Sequence, residues 1–345
     1  MTIAAPPTAP STPTGRRAKI GWALAAFMFA AFAVVSVANM QSGMQGDLRT
    51  TNPNPGAAPY PPFLGVGNWP VVMSALAVLL TIGFFGNAVW KSLRQRRLHW
   101  TVIIGIAAFF AGAVDPLANW ATFTMFDPRV PHFPVSWPYF NIAPLVEPTL
   151  SFLGGYAAYY VLTGIGLVQA YRRFIEPYLR EGSWFALHRL IAVFGFGFTV
   201  GLPLNALMQF LWLKAGMFFY TQGAGPVVHV AHTHLPVVMV VYDSLIFAMV
   251  AVLCVTDGDG RPELVAKLAQ RLPVRPNGPR LTVSRQIVTA TALLLIVVLA
   301  PLGVLSALRV GGLAKPIYDE FRYPAVKVYD PYGDLQRAGK PGPFY

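Results

Sequence analysis

The sequence predicts an all-α, polytopic transmembrane helical bundle of about seven spans, with the N-terminus cytoplasmic and the C-terminus outside. Three observations carry this. Of 345 residues, 55% are hydrophobic and only 12% are charged, roughly half the charge (about 25%) with which a soluble domain covers its surface. Seven apolar runs each approach the ~20 residues a helix needs to cross hydrocarbon. The basic residues crowd into every second connecting segment, the asymmetry by which short loops set orientation.

In chain order, residues 1–19 are rich in Ala, Pro, Thr and Ser and are expected to form a disordered cytoplasmic tail. Residues 20–308 form the transmembrane domain, with spans expected at 20–39, 70–90, 100–120, 146–171, 186–213, 227–255 and 286–308. The first follows Arg16, Arg17 and Lys19 and ends in Ser36-Val37-Ala38, so a cleaved signal peptide is the alternative to a retained helix. Its apolar core is longer than the roughly 7–15 residues of a signal sequence. The inner segments carry Lys91, Arg94, Arg96 and Arg97, then Arg172, Arg173, Arg180 and Arg189, then Arg261, Lys267, Arg271, Arg275, Arg280 and Arg285. The outer loops hold only Arg49, Arg129 and Lys214. Outer loops 41–69 and 121–145 are rich in proline, and the second is dense in aromatics, which predicts an ordered cap. Trp120, Trp137 and Tyr139 suit the headgroup zone. Residues 309–345 are expected as an extracytoplasmic tail with no span.

The same arithmetic excludes whole classes. A formal net charge of +12 can signal nucleic acid, but only on a folded basic face. Here the charges sit between apolar runs, so no nucleic-acid partner is expected, and the chain is placed as a multi-pass protein of the plasma membrane. The single cysteine, Cys254, allows no internal disulfide, thiolate cluster or CxxC redox pair. No GxGxxG, P-loop or GxSxG occurs. The 6 histidines and 14 carboxylates are the inventory for chemistry.

Three acids, Asp115, Glu147 and Asp243, fall in predicted spans. A charged group at the bilayer centre costs about 2.5–3.5 kcal/mol on insertion scales, so each is a candidate functional residue. Asn119 lies one helical turn after Asp115 and shares its face. Asp115 and Glu147 both precede proline, which equally marks a helix start with a carboxylate at its positive end. The sixth span carries His229, His232 and His234. Helical spacing puts His232 on the face of Asp243, about 16 Å away along the axis, with His229 within about 60° and His234 roughly opposite. The trio admits three readings: polar packing within the bundle, acid–base or substrate-orienting work near neutral pH, or a metal site built from imidazoles. Six histidines are too few for the several boxes of the membrane desaturases. Asn205 and Gln209, four apart in the fifth span, face either a cavity or a neighbouring helix as hydrogen-bonding glue.

The polar features also stand in a recognisable order: Asp115-Pro116-x-x-Asn119-Trp120, Phe133-Pro134-x-x-Trp137-Pro138, Pro144-x-x-Glu147-Pro148, and a Pro-Gly-Pro-Phe tail from Pro341 to Phe344. This layout resembles the AveC-like spirocyclase family of actinobacterial membrane proteins, over roughly residues 20–345. The resemblance implies spiroketal formation on a polyketide, with dehydration as a related activity. Such chemistry needs a general acid on the departing oxygen, a base for the attacking hydroxyl, and excluded water. Residue chemistry then nominates Asp115, Glu147, His232 and Asp243 as catalytic. Asn119, Trp120, Trp137, Asn205, Gln209, His229 and His234 are candidates for substrate contact.

The expected partners are a lipophilic small molecule and the bilayer, and no cofactor is expected. A metal ion at His229, His232 and His234 is the weaker alternative. The rival functions are a transporter or binding protein for a hydrophobic molecule, and a metal-dependent membrane oxidoreductase or its accessory subunit. Seven spans without a repeat fit poorly with inverted-repeat carriers.

Overall fold

A computed structural model describes residues 30–31, 33–40, 62–127, 129–134, 137–150, 154–220, 222–230, 233–272, 282–317 and 337. The chain is mostly helical. Helix α1 (Trp69–Arg94) starts with Pro70 in its first turn, where a missing N–H costs nothing, and ends with Lys91 and Arg94 against the negative helix end. Helix α2 (Trp100–Gly112) is capped by the His99 side chain, which accepts from the Thr101 N–H. It stops where Pro116 can neither donate to the Gly112 carbonyl nor avoid clashing with it. The chain re-enters a helix as α3 (Asp115–Thr122), bent by 52° from α2.

A π-helical turn (Ala157–Val161) leads into α4 (Leu162–Phe174). Beyond it come α5 (Arg189–Lys214), α6 (Val237–Cys254), the short amphipathic α7 (Glu263–Arg271) and α8 (Val283–Val310). Three two-stranded antiparallel ribbons gather the connections at one end of the bundle. Strand β1 (Thr124–Phe126) pairs with β2 (Phe218–Tyr220), β3 (Gln222–Gly223) pairs with β6 (Lys315–Pro316), and β4 (Val227–Val230) pairs with β5 (Thr233–Pro236). The basic loops meet at the other end. There Arg97 donates to the Asp259 carbonyl and Arg172 to Thr256 Oγ1.

Among the described residues, four helices are long and apolar enough to cross a membrane, or five if the bent pair α2–α3 is one span. Two expectations are corrected. The predicted span 100–120 is broken at residues 113–114, because Pro116 interrupts its hydrogen-bond ladder. The predicted span 227–255 is helical only from Val237. Pro236 blocks helix upstream of itself, and Val227, Val228, Val230 and Thr233 favour extended pairing. The predicted span 146–171 is helical from Thr149, with residues 151–153 outside the described set. Most of the expected first span and C-terminal tail also lie outside it.

Helix α6 is the centre of the bundle, with 67% of its apolar window buried, against 17% for the peripheral α1. Contiguous apolar side chains of α1, among them Leu79, Ile82 and Leu93, are exposed, as expected of a lipid-facing surface. Small residues let the neighbours close on α6. A Cβ on Gly164 of α4 would meet Val250 Cγ1 at 2.9 Å and the Ala251 nitrogen at 3.1 Å, and one on Gly197 of α5 would meet Ala248 Cα at 3.1 Å. Gly164→Leu is therefore expected to overpack this contact by about 1–3 kcal/mol or more. Thermal unfolding in detergent would read the loss, and an unchanged midpoint would contradict the close approach.

Candidate active site

The break between α2 and α3 puts Asp115 at the first turn of α3 with Pro116 behind it. Asn119 follows one turn later, and its Nδ2 donates to Asp115 Oδ2 at 3.3 Å and to Glu147 Oε2 at 2.8 Å. One amide thus bridges two carboxyl groups that lie far apart in the sequence. Tyr156 closes the cluster from the helix preceding α4, its hydroxyl donating to Asp115 Oδ1 at 2.5 Å. All four side chains are buried. Glu147 Oε1 is buried without a hydrogen-bond partner among the described residues.

Glu147 lies outside the helices, at the end of a strap spanning 127–148. The strap folds back on itself: the Phe133 N–H donates to the Glu147 carbonyl, and the Thr149 N–H to the Pro131 carbonyl. Its first turn is pinned by Arg129, which pairs with buried Asp127 at 2.6 Å and donates to the Gly67 carbonyl at 2.9 Å. Phe133 and Phe140 stack with ring centroids 3.9 Å apart, and Trp137 packs beside them. Tyr139, at a positive φ of 74°, donates its hydroxyl to the Ala113 carbonyl at the α2–α3 break.

Burial and the neighbouring Asp115 push the Glu147 carboxyl well above the ordinary carboxylate range, a shift that the Asn119 hydrogen bond only partly offsets. Tyr139 is pushed up to about 12 by burial and by the Glu147 and Asp115 carboxyls. Because the folded chain binds the Glu147 proton more tightly than the unfolded chain does, the neutral form's stability contribution is complete below about pH 4.5. It is lost as pH rises through the folded value. The wild-type melting temperature is thus expected to fall with rising pH more steeply than that of Glu147→Gln. Parallel slopes in the two proteins would contradict the assignment.

A second buried cluster lies one helical turn further along. Tyr160 donates to Asp243 Oδ1 at 3.1 Å, and Gln209 Nε2 to Asp243 Oδ2 at 2.8 Å. Tyr220 donates to Gln209 Oε1 at 2.9 Å, and Asn205 Nδ2 to the Val240 carbonyl at 3.0 Å. Asn205 therefore ties α5 to α6, while Gln209 reaches the carboxylate itself. The rings of Tyr156 and Tyr160 are 5.0 Å apart, so the two carboxyl centres share one face of the π-helical turn. Such turns recur at functional sites.

The structure thus brings Asp115, Asn119 and Glu147 into one cluster, and Asn205, Gln209 and Asp243 into a second beside it. Trp137 belongs to the strap's aromatic stack. Trp120 lies apart, under the buried guanidinium of Arg309, which also covers Phe123. His229 and His234 depart from the helical expectation. His229 and His234 sit on paired strands, directly opposite each other and not on opposite faces of a helix, because Pro236 ends the helix before it reaches them. His232 lies outside the described residues. Among the described residues, no three His, Cys, Asp or Glu side chains are grouped to hold a metal ion.

Sequence reasoning missed Tyr156, Tyr160, Tyr220 and Arg309. The signal for the first two was present as Tyr156, Tyr159 and Tyr160 within one apolar run, at spacings that share a helix face.

A family model described as Spirocyclase AveC-like matches residues 93–328, a stretch that contains both carboxyl clusters and the histidine hairpin. No curated protein and no solved structure matches the chain.

Proposed function

The chain belongs to the AveC-like spirocyclase family, and from that premise we propose that it is a polyketide-modifying membrane enzyme whose acid–base centre is the Asp115–Asn119–Glu147–Tyr156 cluster. The substrate is a lipophilic hydroxy-ketone. The observation that carries the reading is a pair of buried carboxyl groups bridged by one amide, one of them with an oxygen that has no partner among the described residues.

In the proposed reaction a dihydroxy-ketone closes to a hemiketal. Glu147, holding its proton, delivers it from Oε1 to the hemiketal hydroxyl, which leaves as water. The resulting oxocarbenium ion is stabilised by the Asp115 carboxylate. The second hydroxyl of the substrate attacks the cation, and Asp115 accepts its proton. Return of that proton to Glu147 across the few ångströms spanned by Asn119 restores the starting state. Acid and base exchange one proton, so nothing is consumed and no cofactor is required. Dehydration of a hydroxy-ketone uses the same two groups, one taking the proton next to the carbonyl and the other protonating the departing hydroxyl.

Exclusion of bulk water favours intramolecular capture over hydrolysis. Tyr139 of the strap is tied to the α2–α3 break beside Asp115, and in this reading release of that contact, with Glu147 staying in place, admits substrate from the end of the bundle opposite the basic loops. By the positive-inside pattern that end faces outward from the plasma membrane. Asp243, held by Gln209 and Tyr160, is assigned the support of Tyr156 through the shared helical turn, and no step is given to the histidines.

Deleting the gene and profiling lipophilic metabolites tests the function. Accumulation of an uncyclised hydroxy-ketone is the expected result. An unchanged product spectrum with altered uptake would favour the transporter reading instead.

A further inference from the structure

Away from the carboxyl centres, two histidines meet on the β4–β5 hairpin. His229 and His234 are register partners, with Nδ1 to Nδ1 at 2.6 Å and ring centroids 4.8 Å apart. We propose that this pair is a two-histidine clamp for a divalent transition-metal cation of the zinc, copper or nickel class.

Two imidazole nitrogens at this distance hold one proton between them, one donating and the other offering its lone pair. The accepting ring is therefore neutral, which is the form that ligates metal. A cation replaces the shared proton and takes both lone pairs. With metal–nitrogen distances of about 2.0–2.1 Å and a tetrahedral angle, the two nitrogens sit roughly 3.3 Å apart. The rings reach that geometry by opening less than about 1 Å.

The backbone fixes the bite. Directly opposed residues of an antiparallel pair carry their side chains close together on one face. The hairpin is closed at its base by the Val237 N–H donating to the Pro226 carbonyl at 3.0 Å, and Pro226 and Pro236 stiffen both strands there. His229 is exposed and His234 half-buried, so water can complete the coordination. Imidazole donors select zinc, copper or nickel over magnesium and calcium. Because β5 runs directly into α6, a cation that ties β4 to β5 also braces the start of the helix that carries Asp243.

The test uses the untagged full-length chain in detergent, titrated with Cu²⁺ and observed by electron paramagnetic resonance, with Zn²⁺ binding followed by calorimetry. The expected result is one Cu²⁺ per chain showing hyperfine coupling to two imidazole nitrogens. Either His229→Ala or His234→Ala should abolish that two-nitrogen signal, and His188→Ala should retain it. Zn²⁺ should raise the melting temperature of the wild type and not of His229→Ala. Absence of saturable binding, or a two-nitrogen signal that survives the double substitution, overturns the proposal. Such a failure leaves the proposed enzymatic function untouched, since neither histidine acts in it.

Discussion

Cells carrying Asp115→Asn or Glu147→Gln in place of the wild-type chain are expected to accumulate the uncyclised hydroxy-ketone, with turnover reduced about 10²–10⁴-fold, the range supplied by a positioned general acid or base. Both replacements keep shape and one acceptor oxygen, although in Asp115→Asn the new amide nitrogen faces the Asn119 Nδ2 donor in the place of Asp115 Oδ2. In Asp115→Asn, the new amide oxygen can still accept from the Tyr156 hydroxyl in the place of Asp115 Oδ1. In Glu147→Gln, the new amide oxygen can still accept from Asn119 in the place of Glu147 Oε2. The amount of folded Glu147→Gln should therefore match wild type, with its loss on chemistry alone, whereas Asp115→Asn should also lose a modest part of the folded yield to the donor–donor contact with Asn119. Asn119→Leu provides the complementary reading. It removes the bridge between the carboxyl groups, and it should lower both turnover and melting temperature, because two buried acceptors lose their donor. Full activity in both carboxyl variants would place the chemistry elsewhere.

Asp243→Leu is expected to have the largest effect on folding. It strips acceptors from the Tyr160 hydroxyl and from Gln209 Nε2, and each buried group left unpaired costs about 1–3 kcal/mol. Gln209 retains a weaker contact to the Met239 carbonyl at 3.3 Å, so the greater penalty falls on Tyr160. The affected helix, α6, is also the most buried of the bundle's candidate spans. The expected outcome is a sharp loss of monodisperse protein on extraction in detergent. Asp243→Asn preserves an oxygen for Tyr160 and should restore the folded yield. If Asp243→Leu folds normally, the second cluster does not hold the bundle together.

Much of this arrangement was legible in the sequence, and the reasons differ from residue to residue. Asp115 and Asn119 could be paired from helical spacing alone, since four positions bring side chains onto one face. Their meeting with Glu147 was not legible, because it depends on how the strap 127–148 folds back on itself. Asp115 also shows that a helix-start reading and a site reading need not compete. Pro116 breaks the span, and the break is what aims the carboxyl group at Asn119 and Tyr156. The histidines illustrate the opposite outcome. Extending a 3.6-residue period upstream through Pro236 set His229 and His234 apart, whereas they face each other across paired strands. The proline and the β-branched residues around them already pointed to strands. The tyrosines escaped notice because in an apolar run they count as packing, and only the structure shows Tyr156 and Tyr160 each finding a carboxylate.

The proposed activity is conversion of a hydroxy-ketone at the buried carboxyl pair. The most direct measurement incubates the purified chain, in bilayers, with the compound that accumulates in the deletion strain. Wild type is expected to remove one water from that compound and form the cyclised or dehydrated product, with Glu147→Gln silent under the same conditions. Recovery of unchanged substrate with wild type, or equal product from both proteins, would contradict it.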